Sequence, residues 1–368
     1  MSAVLPVGTN HTLLWGMTAR ERLARIADRE GIAFAQGAGG GPLLASLDHV
    51  FDPAWLAFIA SRPDHVLTLG GVPVLGHCRD LETRLRVTLA MREGRLIEAS
   101  DGLALLAYED AADLENEELR KRERPFLGRL APETVRELER ASYFGAYKGV
   151  TDLLTKYLWP EWALVLTRWA ARIGMSPNQV TAIGALLCVA ATVLFYHGWY
   201  WTGLLAGLVF MVLDTVDGKL ARCTITSSKW GEAFDHGIDL VHPPFWWWAW
   251  GLGLHAYGRP LDPEIFWWTL AAIVGGYIVQ RLLEGAFIAR FKMHIHVWRP
   301  FDSWFRLITA RRNPNMVILL AFLIAGRPDW GLVAVAGWTL VSLAVHAVQL
   351  AQAMAACARG NRIVSWLS

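Results

Sequence analysis

At 368 residues the chain is long enough for two or three ordinary domains. Hydrophobic residues make up 54% of it and charged residues only 18%, below the quarter usual for soluble proteins, which points to a membrane protein. A net charge of +2 provides no broad basic field, so a nucleic-acid partner is not expected.

Residues 1–140 hold no apolar run long enough to cross a bilayer. Strand-like stretches (His65 to Leu69, Val72 to Leu75) alternate with helix-like ones (Thr18 to Arg29, Pro53 to Ala60), the pattern of a small soluble α/β domain. The N-terminus lacks a basic start followed by a long apolar run, so no signal peptide is expected. The charged segment Glu109 to Arg124 is expected to be an exposed linker or a solvated helix. Residues 141–176 form a linker and then an amphipathic helix. In 155–173, Trp and Leu mix with Lys156, Arg168 and Arg172, as in a helix lying along a bilayer surface. Ser176 is a good N-cap for the next helix, and Pro177 suits its first turn.

Residues 177–368 read as an all-α polytopic membrane domain. Six apolar segments are expected to span, at 178–198, 201–222, 233–256, 265–289, 313–327 and 330–355, the fifth being short. Lys219, Arg222 and Lys229 lie between the second and third. Arg290, Lys292, Arg299, Arg306, Arg311 and Arg312 lie between the fourth and fifth. The opposite connections carry only Arg259 and Arg327, so both termini are placed on the cytoplasmic side. The four cysteines (Cys78, Cys188, Cys223, Cys357) lack metal-ligand spacing and read as free thiols. The run Trp246, Trp247, Trp248 suits either a membrane interface or the bundle interior.

Between Asp214 and Asp239 the chain reads Asp-x2-Asp-Gly-x2-Ala-Arg-x8-Gly-x3-Asp-x3-Asp. Charged groups at membrane depth are costly and default to a functional reading. On a helix Asp214, Asp217, Gly218 and Ala221 share one face, and on the next helix Gly231, Asp235 and Asp239 do the same. Two such faces meeting make a pocket of four carboxylates, whose oxygen-only donors suit Mg²⁺, Mn²⁺ or Ca²⁺. A pair of divalent ions there would bind a nucleotide diphosphate and neutralise charge as a phosphoanhydride breaks. The small Gly218 and Gly231 let helices or a diphosphate approach, and Arg222 is placed to meet a phosphate or a carboxylate. Asp239, last in the frame, is the natural general base toward an acceptor hydroxyl. Ion pairing with Arg222 and Lys219 alone would leave the four acids badly unbalanced. His236 reads as a polar neighbour, not a ligand.

The frame resembles the signature of the CDP-alcohol phosphotransferase family at all eight fixed positions. The resemblance covers about residues 148–355, including Pro177-Asn178-Gln179-Val180-Thr181. It implies six transmembrane helices, commonly a homodimer, and displacement of CMP from a CDP-alcohol donor by an alcohol or lipid acceptor. It implies Asp214, Asp217, Asp235 and Asp239 as ligands of two Mg²⁺ or Mn²⁺ ions, with Asp239 also the base. Gly218, Ala221, Arg222 and Gly231 line the CDP pocket, bordered by Asn178 and Thr181. The expected setting is phospholipid or phospho-polyol synthesis in a bacterial or archaeal-type cell membrane, with the active site cytoplasmic. Arg281, Lys292, Arg299, Arg306, Arg311 and Arg312 could hold a phosphate-bearing acceptor or anionic lipid headgroups, with Arg281, Lys292, Arg299 and Arg311 taken as the acceptor-site candidates, while His294 and His296 read as solvated or interfacial.

Asp48-His49-Val50-Phe51-Asp52-Pro53 is similar to the Gly-Asp-His segment of sugar-type nucleotidyltransferases, and Gly16-Met17-Thr18-Ala19-Arg20 with Leu23 to that fold's nucleotide loop. The order matches the bifunctional family that makes CDP-inositol and then di-inositol phosphate phosphate. Leu47 replaces the glycine before Asp48, and the repeated loop glycines and following Pro-Lys are absent, so residues 1–140 resemble a degenerate, non-catalytic relative. The alternatives are an enzyme using CDP-inositol in that manner, a polyprenyl-type transferase, and a membrane transporter or scaffold. The polyprenyl type lacks the Gly-x2-Ala-Arg insert. The sequence does not name the donor alcohol.

Overall fold

The computed structural model describes residues 3–35, 41–100, 102–117 and 119–368. The N-terminal region is α/β. Its elements are β1 (Ala3–Val7), α1 (Ala19–Arg29), β2 (Ala33–Phe34), β3 (Leu43–Ser46), β4 (His49–Phe51), α2 (Pro53–Ala60), β5 (His65–Leu69), β6 (Val72–His77), α3 (Leu81–Glu93) and β7 (Ala104–Ala107). The main sheet runs β2-β1-β3-β6-β5-β7. β1 is parallel to both neighbours, β6 is antiparallel to β3 and β5, and β7 is parallel to β5. The strands and helices foreseen between Thr18 and Leu75 are all present. Thr18 caps α1 in a reciprocal box with Glu21, and Asp52 caps α2 through the Ala54 amide.

The charged stretch Glu109 to Arg124 is neither a helix nor a plain linker. It contains the hairpin of β8 (Leu114–Asn116) and β9 (Lys121–Glu123), followed by β10 (Leu127–Arg129), which pairs with β4. Charge spacing suggested a solvated helix, but tertiary contacts set the conformation. Lys121 Nζ donates at 2.6 Å to the carbonyl of Gly145, the last residue of the helix α4 (Val135–Gly145), and the Gly149 amide donates to the Leu119 carbonyl at 2.8 Å.

The C-terminal region is helical: α5 (Pro160–Arg172), α6 (Pro177–Tyr196), α7 (Tyr200–Cys223), α8 (Lys229–Ala256), α9 (Pro263–Phe291), the short α10 (Pro300–Phe305), α11 (Arg312–Ile324) and α12 (Pro328–Ala358). Ser176 caps α6 in a box with Gln179, and Pro177 occupies its first turn. Helices occur at all six expected positions. Among the described residues three of them, α6, α9 and α12, contain a stretch long and apolar enough to cross a membrane. With the outward-facing Leu186, Val189, Leu205, Trp267, Trp268 and Val341, these are the features of an integral membrane protein. α5 is amphipathic in an inverted sense: Ala163, Leu164, Thr167 and Ala170 pack inward, while Trp162, Val165 and Trp169 face out.

Aromatic side chains lock α6, α7 and α8 together. Tyr200 stacks on Trp250 with centroids 4.1 Å apart and donates to its carbonyl at 2.7 Å. Trp246 and Trp247 are buried, and Trp248 is exposed. The four cysteines are free.

The two regions share one core. Leu23, Leu47, Trp55 and Tyr143 join a single cluster with Leu164, Val180, Val216 and Leu220. Polar contacts reinforce it where α7 ends. Arg22 Nη1 donates to the Cys223 carbonyl at 2.9 Å and Arg25 Nη1 to the Thr224 carbonyl at 2.7 Å, satisfying acceptors that a helix end leaves open. The buried Lys219 donates from Nζ to the Ala146 carbonyl at 2.8 Å and lies 3.3 Å from the centre of the Tyr147 ring.

Candidate active site

The aspartate frame divides between α7 and α8. On α7, Asp214 and Asp217 stand one turn apart, and the Ser228-capped start of α8 brings Asp235 and Asp239 opposite them. One carboxylate oxygen from each of Asp214, Asp235 and Asp239 lies within 4.8 Å of the other two. Asp217 turns to one side and is buried. Its Oδ2 accepts from Thr181 Oγ1 at 2.6 Å and its Oδ1 from the Gly218 amide at 2.5 Å. Thr181, expected at the pocket border, therefore positions an aspartate.

A fifth charge sits among the acids. Arg312, first residue of α11, donates from Nη2 to Asp214 at 2.7 Å and from Nη1 to Asp239 at 2.5 Å. In sequence it is one of six basic residues between the fourth and fifth apolar segments, grouped with possible holders of an acceptor phosphate and not with the aspartates. One guanidinium against four carboxylates leaves an excess of negative charge. Oxygen donors converging from two helices under that excess fit a divalent cation.

The remaining frame residues meet around the same place. A side chain at 218 would have its Cβ 3.1 Å from Arg222 Nη2, so the bare glycine lets that guanidinium fold back over the helix. A Cβ at Gly231 would come 3.0 Å from Asn178 Oδ1, which puts the starts of α6 and α8 side by side. Ala221 is half-buried on the same helix. Arg222 also lines a crevice between α7 and the N-terminal region, with Arg22, Asp52, Asn116 and Ala146. His236 bonds through Nδ1 to the Glu232 carbonyl in its own helix at 2.8 Å, as a polar neighbour should.

Lys148 carried no sequence signal, being a lone lysine in a turn. Burial lowers its ammonium to about 8. Arg120 and Arg222 repel its charge, while Asp235 and Asp214 attract it.

The four acceptor-site candidates do not form one group. Arg281 and Arg311 meet on Glu284, at 2.7 and 2.6 Å. Lys292 is exposed in a left-handed conformation at the end of α9, and Arg299 forks onto the buried Asp302 at 3.0 Å and reaches Gln352 at 2.8 Å. His296 is not solvated. It is buried, with Nε2 3.4 Å from Glu284 and 3.2 Å from Arg311 Nη2, because α9 turns Glu284 toward it. The buried His346 of α12 adds Nδ1 at 3.8 Å from the same carboxylate.

The family model for CDP-alcohol phosphatidyltransferases matches residues 174–348, the segment that carries this whole frame. Residues 174–348 are a CDP-alcohol phosphatidyltransferase domain. Cholinephosphotransferase 1 of Gallus gallus is 34% identical over 130 residues, 32% of this chain and 36% of the relative. Phosphatidylinositol phosphate synthase of Streptomyces avermitilis is 36% identical over 93 residues, 24% of this chain and 38% of the relative. Choline/ethanolaminephosphotransferase 1 of Arabidopsis thaliana is 30% identical over 162 residues, 40% of this chain and 39% of the relative. The chain thus spans well under half the length of the curated relatives it matches.

Proposed function

We propose that the protein is an integral membrane transferase that moves a phosphoalcohol or phosphatidyl group from a CDP-alcohol to an acceptor hydroxyl, releasing CMP. The observation that carries this reading is the approach of Asp214, Asp235 and Asp239 to within 4.8 Å inside the family frame. In the proposed arrangement α6, α7, α8, α9, α11 and α12 all span, and the carboxylates face the cytoplasm of a bacterial or archaeal-type cell. Asp214, Asp217, Asp235 and Asp239 hold two Mg²⁺ or Mn²⁺ ions. Such ions would neutralise the diphosphate and the charge that grows on the leaving CMP. Gly218, Ala221, Arg222 and Gly231 border the CDP, with Asn178 and Thr181 behind them.

Asp239 takes the proton of the acceptor hydroxyl. The freed oxygen attacks the phosphorus that bears the donor's alcohol, a new P–O bond forms, and the anhydride bond to CMP breaks. Asp239 is suited to that role because it is the most exposed of the three converging acids, although Arg312 must first release it. The relatives' names point to phospholipid synthesis, and a homodimer is the expected assembly. A CDP-inositol donor is a second reading, favoured by the N-terminal region. There Asp48, bonded to Asn10 at 3.4 Å, sits in the nucleotidyltransferase-like segment. We read that region as a non-catalytic relative that supports the membrane helices.

The test is CMP release from a panel of labelled CDP-alcohols by the purified protein in nanodiscs, with product masses identified. The reading expects turnover that needs both Mg²⁺ or Mn²⁺ and an acceptor. Asp239→Asn should cut turnover by about 10²–10⁴-fold while sparing CDP binding, and Asp214→Asn should lose both. Equal loss of CDP binding in the two variants would remove Asp239 as the base. Ion movement without CMP release would instead indicate a transporter.

A further inference from the structure

The crevice where the N-terminal region meets the end of α7 carries an unbalanced set of charges. Arg22, Arg29 and Arg222 line it, and Asp52 is the one carboxylate among its lining residues. Asp52 is already engaged, its Oδ1 accepting from the Ala54 amide at 2.9 Å as the cap of α2. Arg22 is 3% exposed. Its Nη1 is used on the Cys223 carbonyl, but its Nε is buried with no acceptor among the described residues. Arg222 has still fewer partners. Its Nε is buried without an acceptor, and no hydrogen bond or ion pair holds its guanidinium among the described residues. Burying the N–H groups of a cation without an acceptor is costly, and a partner of opposite charge would remove that cost.

Hydrogen bonds and packing fix the walls of the crevice. On the N-terminal side the Arg22 guanidinium lies 5.8 Å from the centre of the Phe126 ring, and the Asp52 amide donates to the Phe126 carbonyl at 2.9 Å. Ser142 of α4 accepts from Trp15 Nε1 at 2.8 Å, and Ala146 just beyond that helix is tied to α7 by Lys219. The space enclosed is about 50 Å³. A water needs about 10–15 Å³ of such space, so the crevice takes roughly three to five waters or one phosphate-sized group, not a whole nucleotide.

This crevice is separate from the carboxylate pocket. On α7 the residues Asp214, Asp217, Gly218 and Ala221 share one face, whereas Lys219 and Cys223 share another, which meets Ala146 and Arg22. Arg222 falls between the two faces: its Nη2 folds back toward Gly218, and its side chain also lines the crevice. Arg22, Arg29 and Asp52 lie outside residues 174–348, so the crevice exists only because the N-terminal region is docked.

We infer that this crevice is an anion site, in which Arg22, Arg29 and Arg222 together hold one phosphate group between the N-terminal region and α7. Guanidinium groups in excess of carboxylates match phosphate oxygens in charge and in hydrogen bonding. A phosphate bound there bridges the two regions and stabilises the docked arrangement. It also draws on Arg222, which the proposed function places beside the CDP. That link rests on the transferase reading; the site itself does not. The phosphate is either free in solution or the headgroup of an anionic lipid.

The experiment is a thermal-shift titration of the full-length protein in phosphatidylcholine nanodiscs with inorganic phosphate, against chloride at matched ionic strength. It is repeated without phosphate in nanodiscs containing phosphatidic acid. Arg29 is the residue to vary, because its side chain is 44% exposed and its ion pair is with the adjacent Glu30, so the fold tolerates its loss. Stabilisation by phosphate identifies a soluble source, and stabilisation by phosphatidic acid alone identifies a lipid. In either case Arg29→Glu, which adds a second carboxylate to the crevice, should need about tenfold more anion for the same shift, and Arg29→Lys should keep most of the response. Mn²⁺ with CDP, without phosphate, is a separate arm that reports the carboxylates, and its shift should be the same in Arg29→Glu as in the parent. The inference is overturned if neither anion stabilises the protein beyond its control, if Arg29→Glu responds to the anion like the parent, or if that variant loses the Mn²⁺–CDP shift equally. Absence of the Mn²⁺–CDP shift in the parent protein, with phosphate still binding, would sink the transferase reading and leave the anion site standing.

Discussion

Arg312 brings one positive charge into a group of four acids and bridges two of them, Asp214 and Asp239. A guanidinium in that position and a divalent cation compete for the same oxygens. Asp214 and Arg312 are only partly buried and Asp239 is exposed, so removing Arg312 leaves the acids uncompensated but partly screened by solvent. Arg312→Gln is therefore expected to destabilise the metal-free protein and to gain more from Mn²⁺ than the parent does. Melting temperatures with and without Mn²⁺ measure this; an equal Mn²⁺ gain in both proteins would show that Arg312 does not compete. At the same scale, the spacing of the frame aspartates foreshadowed the approach of Asp214, Asp235 and Asp239, since helical periodicity is local, but not the turning of Asp217 toward Thr181. The roles of Arg312, Thr181 and Lys148 were hidden, because each depends on contacts between residues distant in sequence.

At the level of elements, α7 is held at both its side and its end by the N-terminal region. Arg22 and Arg25 bond the carbonyls of its last residue, Cys223, and of its cap, Thr224, and Lys219 is pinned to Ala146. A hydrogen bond from a charged donor contributes about 1.5–3 kcal/mol. Arg22→Ala should lower stability by that order and expose the junction near residues 224–228 to protease; unchanged melting and digestion would show that the contact is incidental. Gly149→Val should displace the β8–β9 hairpin, since a Cβ there meets the Arg120 carbonyl at 2.6 Å. Hydrogen exchange across residues 114–123 would show the loosening, and unaltered protection would contradict the packing. Apolar run length had marked the positions of α6, α7, α8, α9, α11 and α12, and α1, α2, β5 and β6 were visible in local pattern and caps. The hairpin was not: Glu109 to Arg124 has the charge spacing of a helix, and only its docking against residues 145–149 makes it a pair of strands.

For the whole molecule, the shared core means that the N-terminal region and the membrane helices support each other. Leu23 and Trp55 lie in the same cluster as Val216, next to Asp217, and Leu220, a turn away from it. Composition alone divides the chain where hydropathy rises and gives no hint of this, since a buried face looks the same whichever partner covers it. The arrangement sets the aspartate cluster, the proposed reaction centre, between α7 and α8, with α7 braced from the N-terminal side. In the proposed function Asp214, Asp217, Asp235 and Asp239 would hold divalent ions that grip a cytidine diphosphate. Electron paramagnetic resonance of Mn²⁺ with the purified protein tests that most directly. Mn²⁺ should bind, bind more tightly when CDP is present, and lose both properties in Asp214→Asn and Asp235→Asn; Mn²⁺ binding that ignores CDP and survives both substitutions would contradict it.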